Sequence, residues 1–154
     1  MTTQTEALTL RLERLIAAPP ERVFAAWTQP ELLSQWSSPP GISIDGGDLD
    51  LRVGGRWRVA MRGGDGSTRE AFGMYREIVP PSRLVYTHAW HLGGAGGGTT
   101  PETVLTVEFR AEGKGTRLVL TQTGFESAES RDGHRIGWSS SIDNLAALFA
   151  SKNA

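Results

Sequence analysis

From Gly54 to Phe109 the chain reads GGRWRVAMRGGDGSTREAFGMYREIVPPSRLVYTHAW, then a glycine-rich loop, then ETVLTVEF. Apolar and polar residues alternate in short runs, and turn residues break each run. This is the period of strands with one buried face. A further alternating run, TRLVLTQ, and a long amphipathic stretch to the C-terminus follow. Together they predict an α+β fold, a curved antiparallel sheet closed by one helix, and such a shape tends to enclose a pocket.

The length of 154 residues suits one domain, 1–154, with a single core, burying about 70% of the extended-chain surface. Sixteen basic residues against seventeen acidic ones leave a net charge of -1, and only two of the basic residues are lysine. That balance argues against a nucleic-acid surface, which needs clustered cations to displace counterions from phosphates. The composition suggests neither disorder nor a membrane span. MTTQTEALTL has no basic start followed by an apolar run, so no export signal is read and a cytoplasmic location is expected. The absence of cysteine removes disulfides, thiolate nucleophiles and the usual structural zinc sites.

Leu8, Leu10 and Leu12 alternate with polar residues, predicting a first strand over 6–16. Pro19 and Pro20 sit where a helix tolerates proline, and ERVFAAW predicts a short helix over 20–28. Pro30 opens a second, weaker helical turn, ELLSQW, stopped by Ser-Ser-Pro-Pro-Gly at 37–41. Strands are predicted at 48–52, 56–62, 70–79, 83–91, 102–111 and 115–123. Gly63-Gly64-Asp65-Gly66 and Gly113-Lys114-Gly115 read as hairpin turns, and Gly93–Gly98 as a longer hairpin loop. That loop lacks the Lys-Ser or Lys-Thr and following helix of a phosphate loop. The last helix is predicted over 128–150 with Ser127 as N-cap and Trp138, Ile142, Leu145 and Phe149 on one face. Gly133 and Gly137 cost that helix about 1 kcal/mol each against alanine, so packing holds it there or close backbone approach is wanted.

The element order, together with GGRWRVAM, FGMYREIVPPSRLVYTHAW, ETVLTVEF, GTRLVLTQTGF and HRIGW, resembles the bacterial family named for homology to the activator of the heat-shock-protein-90 ATPase. The most specific piece is Gly-x-Tyr-x-Glu-Ile-x-Pro-Pro-x-Arg-Leu-Val at Gly73 to Val85, joined to Gly124-Phe125 and His134-x-x-Gly137-Trp138. The resemblance implies the helix-grip fold of the START and birch-pollen-allergen group (the SRPBCC superfamily). There a bent antiparallel sheet wraps the C-terminal helix, with two short helices after the first strand and commonly a cavity for an apolar ligand. It is to the single-domain bacterial branch, without the separate N-terminal domain through which the eukaryotic activator engages its chaperone. Roles in the family are diverse, so fold alone does not name the activity.

Tryptophans at 27, 36, 57, 90 and 138 are first of all packing residues, and Trp90 and Trp138 are also candidates to line a pocket. Leu84, Tyr86, His88 and Trp90 share strand parity and project to one face. If that face is concave, a hydroxyl and an imidazole stand among apolar walls, as binding pockets require. His88 is more simply a hydrogen-bonded or surface histidine than a general base. His134 either points at the mouth of the cup or makes a polar contact at the helix start. Arg76 buried against Glu102 would be a ligand anchor or an internal ion pair. The cavity candidates are therefore Trp57, Met61, Met74, Arg76, Tyr86, His88, Trp90, Glu102, Leu105, His134, Trp138 and Ile142. No catalytic residue and no metal ligand is assigned: Ser139, Ser140 and Ser141 lack a nucleophile elbow, and the histidines at 88, 91 and 134 lack metal-ligand spacing.

The leading expectation is a cytoplasmic binding protein for a small apolar or aromatic molecule, with no cofactor, nucleic acid or membrane as partner. A cofactor-independent cyclase- or hydrolase-like enzyme using the same cavity is the alternative from chemistry. A chaperone-regulatory or protein-interaction domain is the alternative from the family resemblance. Homodimerisation is compatible with all three.

Overall fold

In the computed structural model, residues 8–37, 42–92 and 98–152 are described. Strand β1 (Leu10–Ile16) leads through helices α1 (Pro20–Thr28) and α2 (Pro30–Leu33) to strands β2 (Ile42–Leu49), β3 (Arg56–Gly63), β4 (Thr68–Val79), β5 (Arg83–Leu92), β6 (Thr103–Glu112) and β7 (Gly115–Thr123). Helix α3 (Ala128–Lys152) closes the order. The strands form one antiparallel sheet in the order β1-β7-β6-β5-β4-β3-β2. The first strand thus returns to pair with the last, and the sheet, α1 and α3 share one core.

Local chemistry sets the boundaries. Pro20 begins α1 because proline has no amide to leave unpaired there. At the β3–β4 turn the Asp65 carboxylate accepts from the Ser67 amide at 2.9 Å, and Gly66 takes a φ of +86° that disfavours a side chain. The Ser127 hydroxyl accepts from the Ser130 amide at 3.1 Å, capping α3 as the sequence predicts. Of the expected first strand, residues 6 and 7 lie outside the described residues and pairing starts at Leu10. The predicted stop at 38–41 and residues 93–97 of the predicted hairpin loop also lie outside them.

One strand differs from expectation. Pairing was predicted at 48–52, but β2 begins at Ile42, whose register partner is Gly63. Gly46 and Gly47 disguise it: a register shift falls between Ile44 and Gly46, and a Cβ at Gly47 would sit 2.6 Å from the Arg58 carbonyl oxygen. Residues 50–55 instead form a turn, in which the Arg52 amide donates to the Asp50 carbonyl and the Gly55 amide to the Arg52 carbonyl.

The inner face of the sheet and one face of α3 enclose Leu84, Leu105, Val107, Phe109, Leu118, Leu120, Leu145 and Phe149, together with Phe24 from α1. Phe24 and Trp27 both meet Phe109 edge-on, at 5.4 and 5.9 Å between ring centroids. The outer face of β2, β3 and β4 is laced by exposed ion pairs: Arg58 reaches Asp48 and Glu70, each at 3.0 Å, and Arg62 reaches Asp45 at 2.9 Å. Such pairs hold side chains in place more than they stabilise the fold.

Candidate functional site

The core does not fill the cup. Towards the β4–β5 end the inner face opens into a cavity of about 460 Å³. Trp57, Val59 and Met61 of β3 line it, with Arg69, Ala71 and Tyr75 of β4 and Tyr86, His88, Trp90 and Leu92 of β5. The even spacing within each set follows from the pleat, which sends alternate side chains to one face. Trp27 of α1, with Leu33 and Trp36, closes the deep end, while exposed Arg69 and half-exposed Leu92 stand at the open end.

Helix α3 leaves the space open. Ser130, Gly133, His134, Gly137, Trp138 and Ser141 recur at spacings of three and four, so they form one stripe over the cavity. A Cβ at Gly133 or Gly137 would meet nothing within 4 Å, so these glycines are not required by close backbone approach; they leave volume. Further along, Ile142, Leu145 and Phe149 continue the stripe with large apolar side chains, and there the gap is filled by core.

All five tryptophans border this one cavity. Each indole N–H is already satisfied inside the protein. Trp27 donates to the Tyr86 hydroxyl at 3.0 Å, Trp36 to the Ala26 carbonyl at 2.9 Å and Trp57 to the Thr87 carbonyl at 3.0 Å. Trp90 donates to His134 Nε2 at 3.0 Å, and Trp138 to Gln122 Oε1 at 2.9 Å. Fixed in this way, the indoles offer a guest apolar surface rather than donors. The Trp57 bond also explains Gly73 of the family-like motif. The indole crosses β4 at that residue to reach β5, and a Cβ there would lie 2.6 Å from Trp57 Nε1 and 1.9 Å from the Thr87 oxygen.

The two histidines differ. His134 Nδ1 lies 2.8 Å from the Ser130 carbonyl oxygen and Nε2 accepts from Trp90, so the ring is the Nδ1–H tautomer with both nitrogens engaged. It thus makes the polar contact at the helix start and also faces the cavity. His88 is 5% exposed, sits between the rings of Trp57 (5.5 Å) and Trp90 (5.3 Å), and among the described residues has no hydrogen-bond partner for either ring nitrogen. Burial, and then the neighbouring His134, push its pKa down to about 3. His88 is therefore a neutral imidazole, one nitrogen a donor and the other an acceptor. Burial keeps the Tyr75 and Tyr86 phenols protonated well above their ordinary range; Asp50 adds to the effect at Tyr75, and at Tyr86 the bond from Trp27 opposes it. The deep cavity carries aromatic walls and a few uncharged polar groups. Among the described residues, no three His, Cys, Asp or Glu side chains gather as metal ligands.

Of the twelve expected cavity residues, Trp57, Met61, Tyr86, His88, Trp90, His134 and Trp138 border the cavity. Leu105 and Ile142 are packed in the core instead. Met74 and Arg76 fall on the opposite face, because the inward parity of β4 runs through Arg69, Ala71, Gly73 and Tyr75 and then shifts at a bulge between Tyr75 and Glu77. Arg76 does meet Glu102, at 3.5 Å, but both side chains are more than half exposed, so the pair is neither an internal ion pair nor a cavity anchor. Reading the residues missed Arg69, Tyr75 and the small-residue stripe of α3. The recurrence of Ser130, Gly133, Gly137 and Ser141 carried the last of these signals.

A bent antiparallel sheet gripping a C-terminal helix around an aromatic cavity is the helix-grip architecture of START-like domains, and solved structures share it across nearly the whole chain. A protein from Chromobacterium violaceum is 32% identical, with a TM-score of 0.81 over 92% of this chain and 96% of its own. The AHSA1 protein from Silicibacter pomeroyi is 32% identical, with a TM-score of 0.81 over 94% of this chain and 99% of its own. A protein from Mycobacterium smegmatis, at 27% identity, has a TM-score of 0.79 over 94% of this chain and 91% of its own. The chain belongs to the family described as activator of Hsp90 ATPase homolog 1-like protein, which matches it over residues 17–150. No curated protein matches it. Among the described residues, no helix is long and apolar enough to cross a membrane.

Proposed function

We propose that this domain binds a small apolar or aromatic molecule between its sheet and α3, in a cytoplasmic setting. The observation that carries the reading is the convergence of all five tryptophans on one cavity of about 460 Å³. That volume is of the size usual for small-molecule sites, roughly 300–1,000 Å³, and the mixture of apolar wall and sparse polar groups is also theirs. Native mass spectrometry of the freshly purified protein, compared with its denatured mass, tests the reading. Added mass lost on denaturation is expected. A clean mass, with no stabilisation of the protein by any of a panel of aromatic compounds, would count against it.

The unpaired His88 and the tyrosine hydroxyls favour a second reading, a cofactor-independent cyclase- or hydrolase-like enzyme, since polar groups held in a dry pocket can move protons. Binding keeps the greater weight because an imidazole with a pKa near 3 is a weak base at neutral pH. Unchanged turnover of a recovered ligand by His88→Gln and Tyr75→Phe variants would remove those groups from any mechanism. The chaperone-regulatory reading rests on the family's description alone; a pull-down with the purified chaperone addresses it.

A further inference from the structure

Arg69 stands apart from the arginines on the outer face of β3. It lies at the end of β4 opposite Leu92, on the inner parity of that strand, and it borders the cavity. Its guanidinium stacks over the Trp90 ring, 4.6 Å from the centroid. No carboxylate lies within ion-pair distance of it among the described residues, although Glu70 beside it in sequence pairs with Arg58. Further in, two residues before Trp90 on β5, is His88, 5.3 Å from that ring, whose ring nitrogens have no hydrogen-bond partner among the described residues. A cation at the mouth, an indole plane and a buried neutral hydrogen-bonding ring thus follow one another along the same wall.

From this succession we infer that the ligand is a planar aromatic acid. Its ring lies among Trp57, Trp90 and Trp138, its carboxylate meets Arg69 at the mouth, and a hydroxyl or carbonyl reaches His88. The inference rests on the binding reading above and specifies its ligand. The polarity of the cavity sets the orientation. The carboxylate cannot lie deep, because the interior groups are uncharged and an ionised group would lose its hydration without a counter-charge. The indole N–H groups are all engaged, and of the other polar groups bordering the cavity, which include the Tyr75 hydroxyl and Ser37 Oγ, His88 is the one beside Trp90 on the strand that runs in from the mouth, so the inner polar group is assigned to it. The ring nitrogens of His88 are left to whatever fills the cavity, and a guest with one hydroxyl satisfies one of them.

Calorimetric titration with 6-hydroxy-2-naphthoic acid, its methyl ester and 2-naphthoic acid tests the assignment. The wild-type protein is expected to bind the hydroxy acid about three- to tenfold more tightly than the ester, with the contrast shrinking in 1 M salt. It should bind the acid lacking the hydroxyl roughly tenfold more weakly. Arg69→Gln should abolish the acid–ester contrast, and Arg69→Glu should reverse it. Arg135→Gln, a charge-matched change on α3 outside the cavity, should preserve it. His88→Gln, which keeps a hydrogen-bonding group, should retain part of the preference for the hydroxyl, and His88→Phe should lose it. Equal binding of acid and ester by the wild type would overturn the inference while leaving the binding reading standing. Failure of all three compounds, together with a clean native mass, would overturn both. Since Arg69 is exposed, its variants are expected to fold, and the test does not depend on the stability of the His88 variants.

Discussion

At the scale of single residues, His88 and Gly73 carry consequences out of proportion to their size. His88 folds into a place where protonation is suppressed. In the unfolded chain the ring takes up a proton as pH falls through about 6.5, whereas in the folded protein it does so only near pH 3. The stability associated with the neutral ring is complete above pH 6.5 and is lost as pH falls towards 3. Urea unfolding between pH 7 and 4.5 should show this as a decline of at most about 1.4 kcal/mol per pH unit, and His88→Phe should flatten it. The carboxylates of Glu13, Asp65 and Glu112, which arginine or serine partners hold below their usual range, give up their contribution only at lower pH. Gly73→Ala should cost roughly 2–4 kcal/mol in the same assay, because the new methyl meets the Trp57 indole and the Thr87 carbonyl at once. A change at Gly66 tests something else, the strain of its positive φ. The requirement at Gly73 could not be read from composition, since it arises from a tryptophan two strands away from its acceptor.

At the scale of elements, α3 divides into a half that packs and a half that leaves space. Gly133→Ala and Gly137→Ala should each stabilise the protein by about 1 kcal/mol, since alanine is the better helix former and no neighbour stands within 4 Å of the new methyl. The same substitutions should lower cavity occupancy in native mass spectra. A gain in stability with a loss of ligand would identify the glycines as kept for volume. The elements themselves were largely legible in the sequence: alternation located β3 to β7, the prolines located α1, and Ser127 located the start of α3. β2 was hidden because two glycines and a register shift interrupt its pattern, and pairing partners rather than propensity created it. Strand parity was legible for Tyr86, His88 and Trp90 on β5. Met74 and Arg76 were expected at the cavity without a parity argument, and neither the inward face of β4 nor the Tyr75 bulge announces itself in residue types.

At the scale of the whole molecule, the packed end and the open end should differ in local stability. Amides of β6 and β7, whose inner side chains are fully buried in the core, are expected to exchange most slowly with deuterated solvent. Amides at Trp90–Leu92 and in the first turns of α3 should exchange faster and slow when a ligand is bound. The cup was legible from element order and the family resemblance. The size of its unfilled space was not, because volume depends on where small residues of one element face large residues of another.

The placement of the tryptophans also makes the domain its own optical reporter. No indole in the chain lies away from the cavity, so there is no background emission from a distant site. The entire intrinsic tryptophan fluorescence originates around the space that a guest would occupy. Entry of any quenching or polarity-changing molecule acts on all of the emitters, and occupancy can be followed without a label.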